Sequence, residues 1–208
     1  MEYLISITIG YLLGSFPTAY VVLRKKGIDI TQAGSGNVGA MNSFEVTNSK
    51  AIGIIVLIFD FLKGFLSVLI IRFIYPESFV LQGMSLIFAI FSHCFNPWIN
   101  FNGGRGLATA SGGIVLIIYP LIFVWLILWA ITFILKKNIH LSNIAATILS
   151  MLIVFNNSEL SIKYSSPKAN SSESIVLIFT LGSLIILIKH IEPLKELIKD
   201  FKEKGIRK

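Results

Sequence analysis

Between Arg105 and Lys136 the chain carries no charged side chain. A run of that kind cannot form the water-facing shell of a soluble domain, whose helices need a polar face. Similar apolar runs occupy Tyr3 to Leu23, Ala51 to Tyr75, Phe79 to Phe95, Ser142 to Phe155 and Ser174 to Ile188. Only 14% of the 208 residues are charged, against about 25% in a soluble domain. These runs predict an all-α polytopic membrane helix bundle, formed as a single domain over residues 1–208. Met1-Glu2 is acidic where a cleavable signal is basic, so Tyr3 to Leu23 is expected to be a permanent span, kinked at Pro17.

The charge pattern sets the expected topology. Cytoplasmic connections collect Lys and Arg. The most basic connections hold Arg24, Lys25, Lys26 and Lys50, and the tail from Lys189 to Lys208. If both are cytoplasmic, an even number of crossings separates them. The run from Leu107 to Leu135 is longer than a core of about 30 Å needs at about 1.5 Å per residue. Splitting it at Pro120 gives six crossings between the basic connections and seven transmembrane helices in all. The N-terminus is then outside and the C-terminus cytoplasmic, with residues 156–173 outside. Ser35, Asn37, Arg105, Ser142 and His190 fall on the cytoplasmic face.

Two polar, glycine-dense connections stand out on that face. In Gly34-Ser35-Gly36-Asn37-Val38-Gly39-Ala40-Met41-Asn42, glycines allow positive φ, so successive N–H groups can turn toward one anion. Ser35, Asn37 and Asn42 add side-chain donors and acceptors. Gly34, Gly36 and Gly39 also satisfy G-x-G-x-x-G, but a dinucleotide site needs a strand before it and a βαβ unit around it. An apolar helix precedes this one. Spacing alone fits a phosphate cradle or a flexible turn between membrane helices equally well. The second connection, Asn100 to Gly106, carries Arg105. Arg105 can fork onto a phosphate or serve as an ordinary positive-inside arginine.

Further candidates lie at the helix ends. Asp60 and Lys63 are three apart and share a helix face. Inside a membrane such a pair turns inward, and it is expected as a structural ion pair with Lys63 adding positive potential. Ser142 either donates to a phosphate or caps a helix starting at Asn143. His190, at the end of the last span, can deprotonate or orient a hydroxyl, bind phosphate, or be structural. His93, beside Cys94, reads as structural. A single cysteine excludes an internal disulfide and a multi-cysteine metal site, and His93, His140 and His190 are far apart in sequence. No metal and no cofactor are expected. The net charge of +7 suits anionic lipid headgroups and not nucleic acid, because the basic residues do not interleave with aromatics.

Taken in order, Gly14 to Tyr20, Gly27-Ile28-Asp29-Ile30 and Gly34 to Asn42 resemble the opening of the bacterial acyl-phosphate:glycerol-3-phosphate acyltransferases. Asp60-Phe61-Leu62-Lys63-Gly64 is similar to that family's Asp-x-x-Lys-Gly. Phe101 to Thr109 is similar to its Gly-Gly-Lys-Gly loop, Leu141-Ser142 to its serine-rich turn, and Lys189-His190-Ile191-Glu192 to its last motif. The resemblance implies a seven-helix integral membrane enzyme of the cell membrane, active on the cytoplasmic side as a monomer. It implies acyl transfer from acyl phosphate to the sn-1 hydroxyl of glycerol 3-phosphate, yielding lysophosphatidic acid and phosphate, with no thioester donor and no metal. Ser35, Ser142 and His190 would be catalytic. Gly34, Gly36, Asn37, Gly39, Asn42, Lys63, Gly104 and Arg105 would bind the phosphates.

Several positions depart from the family pattern. Glu45 and Asn102 stand where arginines are expected, Arg105 stands for a lysine, Met41 for a threonine, His140 for a serine and Pro193 for an asparagine. Arg105 keeps the charge of a lysine with a different donor geometry. Glu45 and Asn102 remove cations near a phosphate site. They define a second reading: a weakened or inactive paralogue that binds lipid phosphate or a membrane partner.

Overall fold

The computed structural model describes the backbone of residues 1–206 and the side chains of residues 1–199. Residues 207–208 of the basic tail lie outside the described residues. Among those described, no strand occurs. Pro17 has no N–H to give, and the first apolar run accordingly breaks there into α1 (Glu2–Ser15) and α2 (Thr18–Arg24). The polar connection that follows is not all loop, because its second half folds as α3 (Ala40–Thr47). The Ser49 hydroxyl accepts from the Ile52 N–H and opens α4 (Lys50–Ile74). The Ser78 hydroxyl does the same for α5 (Phe79–Cys94). A 3-10 turn, Pro97–Ile99, leads into the second glycine-rich connection.

The expected split at Pro120 is present. Helix α6 (Leu107–Ile117) stops short, and Pro120 starts α7 (Pro120–Lys136) at the helix position where a missing N–H costs nothing. Then come α8 (Ile139–Asn156), α9 (Ser158–Tyr164), α10 (Ser172–Ile188) and α11 (Ile191–Ile206). Two expectations are corrected here. The connection from 156 to 173 contains the short helix α9. And α8 begins at Ile139, because the Asn138 side chain accepts from the Leu141 N–H at 3.0 Å. Ser142 therefore does not cap a helix. Its hydroxyl donates to the Asn138 carbonyl at 2.8 Å.

The segments Glu2–Arg24, Lys50–Ile74, Phe79–Ile99 and Ile139–Asn156 are long and apolar enough to cross a membrane. The bent pair α10–α11 would add a fifth, while α6 and α7 are shorter apolar helices. The chain is thus built as a multi-pass membrane protein. Small residues let the helices close up, as expected where lipid gives no hydrophobic drive between them. A Cβ at Gly10 or Gly14 of α1 would strike the Ser85 or Ala89 carbonyl of α5, and one at Gly64 or Gly112 would part α4 from α6. Large apolar side chains point outward instead, among them Leu57, Ile58, Phe123, Ile127 and Ile134.

At one end of the bundle Arg72, near the C-terminus of α4, ties three segments together. Its Nε donates to Gln82 Oε1 at 3.1 Å and its Nη2 to the Leu116 carbonyl at 3.0 Å and to the Ser166 carbonyl. The other end holds the N-terminus of α6, the C-terminus of α5 and the two glycine-rich connections.

Candidate active site

The first glycine-rich connection is organised by Asn42, which is 1% exposed. From the first turn of α3, its Oδ1 accepts the Ser35 N–H at 3.0 Å. Its Nδ2 donates to the carbonyls of Ala33 at 3.0 Å and Asn37 at 2.9 Å. Gly34 and Gly36 take positive φ, at 59° and 69°. The Gly36 N–H donates to the Ala33 carbonyl at 3.1 Å and the Gly39 N–H to the Asn37 carbonyl at 3.0 Å. This corrects the simple picture of a loop whose N–H groups all face one anion: those of Ser35, Gly36 and Gly39 are engaged inside the loop. The open donors lie one step further along. No side chain caps α3 at Gly39, so its first-turn N–H groups lack intrahelical partners. They carry the positive end of the helix dipole into the site.

A cavity of about 530 Å³ lies at this end of the bundle. Of the residues singled out from sequence, Ser35, Asn37, Gly39, Asn42 and Arg105 line it. Gly34 and Gly36 shape the loop behind. The other four also stand back from the cavity wall. Lys63 is set behind Asp60, which does line the cavity; the two form the expected ion pair at 2.6 Å, both buried. Gly104 packs on the His93 ring. Ser142 is fully buried and bonded to the Asn138 carbonyl. His190, in the turn between α10 and α11, is 1% exposed.

The environment of His190 assigns its proton. Nδ1 lies 2.8 Å from the Ile186 carbonyl, which can only accept, so Nδ1–H donates. Nε2 is then an acceptor, and it is buried with no partner among the described residues. Burial pushes the imidazole below its ordinary value to about 4, against the pull of the Ile186 hydrogen bond, with Arg105 and His140 pushing the same way. His190 is therefore neutral at physiological pH.

His93, His140, Glu45 and Asp60 are among the cavity residues that the sequence did not mark as site residues. Arg105 Nη1 donates to His140 Nδ1 at 3.2 Å, so two of the departures from the family pattern are in contact. Burial lowers the Arg105 pKa, while Glu196 and Glu45 oppose that shift; a guanidinium stays charged through it. Asp60 is matched by Lys63. The remaining cations facing the cavity, Arg105 and Lys137, stand against one anion, Glu45. The sequence signals Glu45 and His140 as departures from the family pattern and Asp60 as half of an ion pair. The cavity wall position of His93 had no such signal. Leu107 also lines a smaller apolar pocket of about 100 Å³ among α6, α7, α8 and α10. The arrangement offers anion donors, a neutral imidazole close by, and apolar space next to the charged end.

Residues 4–200 match the family model described as glycerol-3-phosphate acyltransferase. The chain is 37% identical over 195 residues to a glycerol-3-phosphate acyltransferase of Ehrlichia canis (strain Jake), covering 93% of both chains. It is 38% identical over 162 residues to one of Pelagibacter ubique (strain HTCC1062), covering 76% of this chain and 82% of that one. The fold is similar to the crystal structure of PlsY (YgiH), an integral membrane glycerol 3-phosphate acyltransferase, in its glycerol 3-phosphate form. The TM-score is 0.81 at 27% identity, over 96% of this chain and 94% of the other.

Proposed function

Because the chain belongs to the glycerol-3-phosphate acyltransferase family, we propose that it moves an acyl group from acyl phosphate to the sn-1 hydroxyl of glycerol 3-phosphate. The observation that carries this reading is one cavity shared by Ser35, Arg105 and the uncapped N-terminus of α3. Those groups suit a phosphate and the oxyanion of an acyl transfer. The hydroxyl oxygen attacks the acyl carbonyl carbon, an ester bond forms, and the carbon–oxygen bond to phosphate breaks. The hydroxyl proton ends on the departing phosphate, directly or by way of Nε2 of His190, whose lone pair has no partner among the described residues. Arg105 forks onto a phosphate, Ser35 and Asn37 donate from the rim, and Lys63 neutralises the Asp60 carboxylate that lines the cavity. Ser142 acts by holding the turn at Asn138. The apolar pocket beyond Leu107 suits the acyl chain. No metal or cofactor takes part, and the acting unit is a monomer.

Purified protein supplied with acyl phosphate and labelled glycerol 3-phosphate is expected to form lysophosphatidic acid and release phosphate. Absence of turnover with every acyl chain length would sink the reading. One observation favours a second reading, a paralogue that binds phosphate without turnover: Glu45 puts a negative charge on the cavity wall. Glycerol 3-phosphate binding with no product would select it.

The membrane arrangement belongs to the same proposal: seven crossings, the N-terminus outside, the C-terminus and the cavity cytoplasmic. Cysteines introduced at Ser35 and Lys137 in a Cys94→Ser background should react with an impermeant reagent from the cytoplasmic side, and cysteines in 157–172 from the outer side. Labelling of Ser35→Cys and Lys137→Cys from opposite sides would refute it.

A further inference from the structure

His93 lines the cavity and is 5% exposed, and its two ring nitrogens face different surroundings. Nδ1 lies 3.4 Å from Lys63 Nζ and 3.8 Å from Asp60 Oδ1. Lys63 is bound to Asp60 as an ion pair at 2.6 Å. An ammonium donates and does not accept, so Nδ1 accepts from Lys63. A neutral imidazole whose Nδ1 accepts carries its proton on Nε2.

Nε2 lies against Gly104, where a Cβ would collide with it and press on the Val38 carbonyl. This is where the two glycine-rich connections meet, one residue from Arg105 and two from the first residue of α3. The bare backbone at Gly104 leaves Nε2–H uncovered. An ion pair inside a membrane segment is costly, and it often earns its place by orienting a neighbour, as outer-shell carboxylates orient histidines at metal sites.

We propose that His93 is a phosphate-binding residue: the Asp60–Lys63 pair holds it in the Nε2–H form, and Nε2–H donates to a substrate phosphate oxygen at the junction of Gly104 and the first turn of α3. Asp60 and Lys63 are then positioning residues that act through His93. The inference rests on the cavity being a phosphate site. Glycerol 3-phosphate and acyl phosphate both bring such oxygens, and the test separates them.

His93→Phe keeps a flat ring and loses the N–H, while His93→Gln returns an amide N–H near the position of Nε2. Calorimetric binding of glycerol 3-phosphate needs no acyl donor, and the KM for acyl phosphate is read in turnover. For the phosphate that His93 touches, His93→Phe should weaken binding by about 10–10²-fold, the usual effect of removing one hydrogen bond to a charged group. His93→Gln should recover most of that loss. A change in the glycerol 3-phosphate dissociation constant alone assigns the contact to the acceptor, and a change in the acyl phosphate KM alone assigns it to the donor. Wild-type values for both ligands in a folded His93→Phe overturn the proposal, as does a His93→Gln no better than His93→Phe.

A second readout is independent of activity. In protein labelled with ¹⁵N-histidine, the His93 shifts should report the Nε2–H tautomer. In the Asp60→Asn/Lys63→Met double variant, which leaves no buried charge unpaired, they should report a mixture. An Nδ1–H tautomer in the wild type refutes the proposal. Failure to use acyl phosphate would count against the reading of the reaction instead, and the binding and tautomer results would still decide the role of His93.

Discussion

Arg72 and Arg105 sit at opposite ends of the bundle and are held in opposite ways. Arg72 donates to the Gln82 side chain and to the carbonyls of Leu116 and Ser166. It joins α4, α5, α6 and the connection before α10, with acceptors that are all fixed parts of the fold. Among the described residues Arg105 donates to a single ring nitrogen, on His140 at 3.2 Å, and otherwise faces a cavity. A guanidinium has five donors. When they are filled by backbone carbonyls it works as a clasp, and when most are left facing an open cavity it is set for an incoming anion. Both residues are arginines near helix ends, and composition cannot tell them apart.

The sharpest way to break this comparison is to remove each arginine in turn. Arg105→Ala should lower kcat/KM by about 10³-fold while the melting temperature in detergent stays near wild type, since the loss of a charged contact to the reacting phosphate is a transition-state effect. Arg72→Ala should do the reverse. It leaves the buried Gln82 side chain and the partly buried Leu116 carbonyl without this donor, at a cost of about 1–3 kcal/mol of stability, and the folded protein should keep its kcat/KM. Identical behaviour of the two variants would erase the distinction.

Ser35 and His190 extend the contrast within the cavity end. Ser35→Ala and His190→Ala are each expected to cost about 10²-fold in turnover with the fold intact, measured with acyl phosphate and glycerol 3-phosphate. Wild-type rates in both would leave these residues with structural roles. The buried His190 also makes a pH prediction. Its pKa is lowered to about 4, so the neutral form persists as pH falls from 8 to 5. The His190-dependent part of kcat/KM should be flat over that range and fall only near pH 4. A histidine at its ordinary value would already have produced a limb near pH 6.5. The same shift means that the unfolded chain binds a proton that the folded one does not. Stability should therefore decline as pH falls from about 6.5 toward 4.

The parts of this molecule legible in the sequence are those set by strong local chemistry. Pro17 and Pro120 interrupt long apolar runs at points where a helix cannot continue through them, and the Asp60–Lys63 pair at i, i+3 inside an apolar run leaves little choice of partner. What the sequence hid depends on competition between groups. The nine-residue run at Gly34 has many N–H groups, and only the fold reveals that Asn42 and two loop carbonyls engage three of them. Ser142 reads equally as a phosphate donor or a cap, but Asn138 reaches the first turn of α8 before it. His93 looked structural because its partners, Lys63 and Gly104, are distant in sequence from it and from each other. The pairing of His140 with Arg105 is hidden for the same reason, although both depart from the family pattern.

That pairing can be weighed by a double-mutant cycle. Arg105→Lys and His140→Ser each restore what the family pattern has at that position. If the two departures are coupled through their 3.2 Å contact, the double variant should be more active than the sum of the single effects predicts. Contacting residues typically couple by about 0.5–3 kcal/mol, which corresponds to a few-fold to about 10²-fold in kcat/KM. Strict additivity would mean that the two side chains meet without sharing a task.

The smallest expected effect concerns Glu45, the one anion on the cavity wall with no cation bound to it within hydrogen-bond distance among the described residues. Its carboxylate is on an exposed residue, so water and salt screen it over about 8–10 Å. It should therefore repel a dianionic substrate weakly. Glu45 also acts on Arg105, where it helps to offset the effect of burial on the guanidinium. Replacing it with a cation removes the repulsion from substrate and adds repulsion toward Arg105, and only the first is felt when a phosphate stands between them. Glu45→Arg should lower the KM for glycerol 3-phosphate by a few-fold and leave kcat nearly unchanged, because the added attraction is common to the bound ground state and the transition state. The gain should shrink as salt is raised from about 0.01 M to 0.15 M. An unchanged or higher KM would place the phosphate away from Glu45. Turnover found only in the variant would identify the natural chain as a phosphate binder that has given up the reaction.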